Sequence, residues 1–146
     1  MTDVVDTATR SRMMAGIKGK NTNPELFVRK TLHSLGFRYR LGGYGLLGKP
    51  DIVFSSKKIA IFVHGCFWHR HTCKYFKWPT TNQEFWQKKL NGNASRDEKI
   101  ELELKNLGWK VLVVWECELR QTFYKLPNPA INRIINKLNS SFTENI

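Results

Sequence analysis

The feature that most limits how this chain can fold is the run Ile59-Ala60-Ile61-Phe62-Val63, followed at once by His64-Gly65-Cys66-Phe67-Trp68-His69-Arg70-His71-Thr72-Cys73. An unbroken apolar run of this length and β-branched content reads as a central strand buried on both faces. Such a strand delivers whatever follows it to one end of a sheet. Here the following segment holds three of the chain's four histidines and two of its three cysteines.

The flanking pattern supplies the rest of an α/β fold. Asn23-Pro24-Glu25 reads as a helix start, with an Asn cap, proline in the first turn and an acid at the positive end. That helix carries Leu26, Val28, Leu32 and Leu35 and stops at Gly36. Phe37 to Leu41 alternates large apolar residues with arginine, predicting an exposed strand, and Gly42, Gly43, Gly45 and Gly48 make a turn into Lys49-Pro50-Asp51. Strands are expected at Asp51–Phe54 and Ile59–His64, with an irregular aromatic-rich segment over Gly65–Thr80. A helix capped by Thr81 or Asn82 should end at Asn91-Gly92-Asn93. Ser95–Leu107 reads as a separate helix with Ile100, Leu104 and Leu107 on one face, and Trp109–Trp115 as a second buried strand. A last helix runs from Asn128-Pro129 to about Asn139 with Ile131, Ile134, Ile135 and Leu138 inward. The order predicts one α/β domain over 1–146 with a sheet covered on both faces. It is preceded by a frayed 1–9 and a short basic helix over Arg10–Lys18 bearing Met13, Met14 and Ile17.

Charge narrows the partner. The 146 residues carry 24 Lys and Arg against 12 Asp and Glu, and the excess is concentrated before residue 81, with 14 basic and 4 acidic side chains. Between Glu25 and Glu84 the one carboxylate is Asp51, among ten cations. A lopsided basic half of this kind suits a polyanion. No apolar stretch exceeds five residues, far short of the ~20 of a membrane helix. Three cysteines without a hydrophobic leader predict a reduced cytoplasmic protein rather than a disulfide framework.

Three groups carry chemistry. Cys66, Cys73 and Cys117, with His71 or the competing His69, would form a Cys₃His zinc site if the strands before Cys66 and Cys117 run parallel. Asp51, placed at a strand mouth among cations, suits Mg²⁺ bridging to a phosphate, while His64 and His69 could take a proton from water, oriented by Glu25 or Asp97. Phe67, Trp68, Tyr75, Phe76, Trp78, Phe85 and Trp86, interleaved with Arg70, Lys74, Lys77, Lys88 and Lys89, could wedge into a base stack.

These residues meet a family. Gly48-Lys49-Pro50-Asp51-Ile52-Val53-Phe54, Phe62-Val63-His64-Gly65-Cys66-Phe67-Trp68-His69 with His71 and Cys73, Glu84-Phe85-Trp86, Asn93-x-x-Arg96-Asp97 and Gly108-Trp109 through Trp115-Glu116-Cys117 closely resemble the very short patch repair endonucleases. So does the early run Arg10-Ser11-Arg12-Met13-Met14 with Asn21-Thr22-x-Pro24-Glu25, and the likeness spans about residues 8 to 120. The resemblance implies a restriction-endonuclease-like mixed sheet flanked by helices. It implies Mg²⁺-dependent nicking of duplex DNA 5′ of the thymine in a T:G mismatch left by deamination of 5-methylcytosine. By position it assigns Asp51 and the main-chain oxygen of Val63 to Mg²⁺, His69 with Asp97 to water activation, and His64 with Glu25 to a supporting pair. Cys66, His71, Cys73 and Cys117 match the structural zinc ligands, Phe67, Trp68 and Trp86 the intercalating rings, and Met14 a minor-groove contact from the helix over about 10–20. A monomer is implied, with links to a DNA cytosine methyltransferase and to mismatch-repair proteins. Two alternatives use the same residues: a restriction-type nuclease cutting both strands, and a non-catalytic zinc DNA-binding module.

Overall fold

The computed structural model describes residues 22–144. The expected basic helix over Arg10–Lys18, with Met13, Met14 and Ile17, and the frayed 1–9 lie outside the described residues. Helix α1 (Asn23–Ser34) leads to a short 3₁₀ turn (Gly42–Gly45) and strands β1 (Ile52–Phe54) and β2 (Ile59–His64). Then follow α2 (Gln83–Asn106), β3 (Lys110–Trp115), α3 (Glu116–Arg120) and α4 (Pro129–Glu144). The sheet order is β1-β2-β3, with β1 antiparallel and β3 parallel to the central β2. Ile59–Val63 is therefore the middle strand, as its composition requires. Among the described residues no helix is long and apolar enough to cross a membrane.

Strand alternation divides the residues between two faces. Ile52 and Phe54 of β1, Ile59 and Ile61 of β2 and Val114 of β3 pack against Val28 and Leu32 of α1 and Ala130, Ile131, Ile134 and Leu138 of α4. Each large aliphatic side chain buried there contributes roughly 1.5–3 kcal/mol. The opposite face carries Asp51, Val53, Ala60, Phe62, His64, Val111, Val113 and Trp115, by the registers Val53↔Ala60, Ala60↔Val111, Phe62↔Val113 and His64↔Trp115. Helix α2 covers part of that face, burying Leu90 and Leu104. The rest opens into a cleft. The expectation of a sheet fully covered on both faces is thus met on one side and in part on the other.

Several local expectations are corrected. The cap of α1 is Thr22 rather than Asn23: its hydroxyl accepts from the Glu25 N–H at 3.4 Å, leaving Asn23 and Pro24 in the first turn. Phe37–Leu41 is not a strand; Arg40 makes a single bridge to Val53, while Phe37 and Tyr39 turn in to pack on Phe54. Asn91-Gly92-Asn93 does not end a helix, because α2 runs unbroken for 24 residues. Gly92 and the helix-weak asparagines cost only about 1 kcal/mol or less each, which the length and packing of α2 offset. Asn82 occupies its cap position without a capping bond. Leu107, expected on the buried face, is 65% exposed, since α2 closes at Leu107 and the chain turns through the left-handed Gly108. Asn128 does start the last helix, its side-chain oxygen accepting from the Ala130 and Ile131 N–H groups.

Candidate active site and metal centre

Because β1 and β2 are antiparallel, Asp51 sits just before β1 and beside the end of β2. Its N–H donates to the Ile61 carbonyl at 3.0 Å, and the Val63 N–H donates to its Oδ2 at 2.7 Å. The side chain thus extends the ladder by one rung and is held rigidly. Burial pushes the Asp51 carboxyl up to about 7, reinforced by the neighbouring Glu25 carboxyl and opposed by the Val63 N–H and by His69. Glu25 is itself buried on α1, where Arg29 donates to its Oε2 at 3.2 Å. Two carboxyl groups set side by side form a place whose charge a cation would balance, and Asp51 with the adjacent Val63 main chain would hold Mg²⁺ there.

His64 ends β2 and His69 lies one tight turn later. Their rings stack, with centroids 3.7 Å apart and planes within 4°. His69 Nδ1 meets Asp97 Oδ2 at 2.5 Å. A carboxylate accepts, so Nδ1 carries the hydrogen and Nε2 is left as the acceptor. His64 differs: burial, then its proximity to the His69 ring, bring its imidazole down to about 3, so it stays neutral. Its Nδ1 is buried without a hydrogen-bond partner. The structure joins His69 to Asp97, the pair the resemblance implies, and sets Glu25 beside Asp51 and His64 against His69. A cleft of about 1400 Å³ exposes Asp51, His69 and Asp97 beside Lys89, Arg70 and Arg96.

Parallel pairing of β2 and β3 has a second consequence. His64↔Trp115 are register partners, and each is followed two residues later by a cysteine, Cys66 and Cys117. The donor atoms of Cys66, His71, Cys73 and Cys117 all lie within 4.8 Å of one another. Four ligands at ~2.3 Å from a tetrahedral zinc stand about 3.8 Å apart, so this donor set fits that ion. His71 presents Nδ1 to the Cys117 sulfur at 3.6 Å, and the Cys117 N–H donates to Cys66 Sγ at 3.4 Å. His71, not His69, is the histidine of the cluster.

Of the rings expected to wedge into DNA, Trp68 lines the cleft, and Phe67 and Trp86 pack against it. Phe67, Trp68 and Trp86 contact one another at centroid distances of 5.1, 5.4 and 5.9 Å. Phe67 and Trp68 come from the loop and Trp86 from the first turn of α2. All three are half-buried. Met14 lies outside the described residues. The residues alone did not reveal Asn93, whose side chain donates to the Trp68 carbonyl at 2.9 Å and ties the loop to α2. Nor did they reveal the ring contacts of Trp115; the two-residue offset to each cysteine was the available signal.

A carboxylate-oriented imidazole and a buried carboxylate suited to a cation, facing a cleft lined by lysine and arginine, are the equipment of a phosphodiester hydrolase. Residues 2–75 match the family model described as DNA mismatch endonuclease Vsr. The chain is 44% identical over 138 residues to the type II nicking enzyme V.NmeAIP of Neisseria meningitidis, covering 94% of this chain and 97% of that one. It is 45% identical to the type II nicking enzyme V.XorIIP of Xanthomonas oryzae, covering 82% and 88%. It is 44% identical to the DNA mismatch endonuclease Vsr of Escherichia coli, covering 82% and 77%. The chain belongs to the Vsr DNA mismatch endonuclease family, and with it to the endonucleases that hydrolyse phosphodiester bonds.

Proposed function

We propose that this protein nicks duplex DNA 5′ of the thymine in a T:G mismatch, as a monomer using Mg²⁺, and so opens a very short repair patch where 5-methylcytosine has deaminated. The observation that carries this reading is contiguity: Phe67 and the cleft-lining Trp68 directly precede His69, the imidazole oriented by Asp97. Distortion of the duplex and attack on its backbone are served by one loop. His69 Nε2 takes a proton from water as its oxygen attacks phosphorus and a P–O ester bond breaks. Asp51 and the Val63 carbonyl would hold the ion, which when bound would supply polarisation of the scissile phosphate. Neutral His64 packs flat on His69 and limits its rotation, Glu25 backs Asp51, and Lys89, Arg70 and Arg96 offer charge to the phosphates.

Incubating T:G and fully paired duplexes with the protein and Mg²⁺ tests the reading: nicked product from T:G alone supports it. Linear product from paired DNA would make it a restriction-type enzyme, and binding without cleavage a non-catalytic module. The wedge gives a further expectation. Opening a weakly stacked T:G step costs less than opening a Watson–Crick step, so ring insertion discriminates through deformation energy. Base–aromatic stacking is worth ~1–3 kcal/mol, so Trp68→Ala should weaken T:G binding about 5- to 150-fold. Paired DNA should lose much less, and the salt slope should hold, because no phosphate contact is removed. Equal losses on the two duplexes would make Trp68 a general-affinity residue.

A further inference from the structure

The register partner of His64 is Trp115, and its ring touches both functional clusters. One face stacks on His71 of the Cys₃His set, with centroids 4.0 Å apart and planes within 7°. The ring meets His64 edge to face at 5.2 Å and 67°, and His69 at 6.3 Å and 69°. The indole thus contacts a ligand of the Cys₃His set and both of the stacked imidazoles, and forms a wall shared by the two clusters. No hydrogen bond fixes the buried Nδ1 of His64. Packing holds that ring, and through their 3.7 Å stack it holds His69.

The wall is itself anchored. The Trp115 N–H donates to Glu118 Oε1 at 3.0 Å. Arg133, from α4, clamps Glu118 with two bonds at 2.5 and 3.2 Å and also donates to the Val113 carbonyl at 2.9 Å. The Arg133 guanidinium outweighs burial and brings the Glu118 carboxyl below the usual range. The end of β3, the short helix α3 and the last helix are tied at one point, and Trp115 projects from it into the cleft.

We infer that Trp115 is a positioning residue of the nicking reaction, the shared wall through which the Cys₃His cluster fixes the stacked His64–His69 pair. This rests on the functional reading above, in which His69 receives the proton. The metal centre then does more than fold a loop: it sets the angle at which His69 faces its water. Misplacing a reacting group by ~1 Å can cost about 100-fold in rate without weakening ground-state binding.

The test compares Trp115→Leu, which removes the flat ring, with Trp115→Phe, which keeps one, on zinc-loaded protein. Three quantities are read: zinc per chain, affinity for T:G duplex, and single-turnover nicking at saturating protein. Trp115→Leu should keep its zinc and bind T:G within about threefold of wild type while nicking about 30- to 100-fold more slowly. Trp115→Phe should recover most of the rate. Wild-type nicking by Trp115→Leu overturns the inference, as does a loss that appears wholly in duplex affinity. Loss of zinc and nicking together in both variants makes Trp115 a folding residue, which also overturns it. His69→Ala, assayed alongside, separates the two readings: if it is inactive while Trp115→Leu is fast, the wall fails and the functional reading stands. If His69→Ala nicks normally, the assignment of His69 itself is at fault.

Discussion

Asp51→Asn should abolish nicking and, at the same time, make the Mg²⁺-free protein more stable. The substitution keeps the shape of the side chain and one oxygen to accept from the Val63 N–H, so the ladder rung at 2.7 Å survives. It removes the charge that would hold the ion. Charge stabilisation by a bound metal supplies several kcal/mol of the barrier reduction, so the rate should fall by roughly 10³-fold or more, with T:G affinity retained. The stability gain follows from the same burial. With its folded pKa at about 7, above the ordinary 3.8, Asp51 holds its proton in the folded chain while the unfolded chain has already lost it. Below about pH 4 both states are protonated and nothing is lost. From about pH 4 to 7 the fold is progressively penalised, and above pH 7 the penalty is complete. Discounted for the partial exposure of the carboxyl, it is roughly 2–4 kcal/mol. An uncharged amide escapes this penalty, so melting of the Asp51→Asn variant in Mg²⁺-free buffer without chelator should rise by about 5 °C or more at pH 8 and stay unchanged near pH 4. A variant that is both fast and no more stable would remove Asp51 from the metal site.

How much of this was readable in advance depends on the range of the interaction. Ile59–Val63 declared itself because five apolar residues can only be satisfied in the middle of a sheet, and Gly36 and Gly108 because left-handed stops favour glycine. The zinc donors are legible on the premise that β2 and β3 run parallel, since both strands then empty at one end; the spacing of His71 two residues before Cys73 favours it over His69 as the fourth ligand. That choice is made by a turn in which the His71 N–H returns to the Cys66 carbonyl at 2.9 Å and Arg70 adopts a φ of 51°. The sequence predicts two helices where the single α2 runs, because Asn91-Gly92-Asn93 is a strong local stop. Tertiary demands override it: Trp86, Asn93 and Asp97 must share one rigid rod to reach the loop. The roles of Glu25 and Trp115 lie in contacts with residues far along the chain, and no local pattern encodes those.

Removing the metal from the Cys₃His cluster should cost more than any single substitution in the cleft. Gly65 to Thr80 contains no regular helix or strand, and its backbone bonds are local turns such as His69 N–H to Gly65 and Phe76 N–H to Cys73. A structural zinc contributes ~10 kcal/mol or more, comparable with the whole stability of a domain. One zinc per chain should therefore survive extensive dialysis. Cys117→Ser or prolonged chelation should release it, loosen the loop that carries Phe67, Trp68 and His69, and abolish both T:G discrimination and nicking. The protonation of the donors gives the sign of the pH dependence. Burial pushes the Cys66 thiol up and the Cys117 thiol up, while it brings the His71 imidazole down. In metal-free protein at neutral pH the two thiols are protonated and the imidazole is neutral. Loading must expel at least two protons, so zinc affinity should fall about 100-fold for each unit of pH below neutral. Calorimetry in buffers of differing ionisation enthalpy counts the released protons directly. Two or more per zinc, with recovery of nicking on reloading, is the expected result; release of none would mean that Cys66 and Cys117 do not ligate the metal as thiolates.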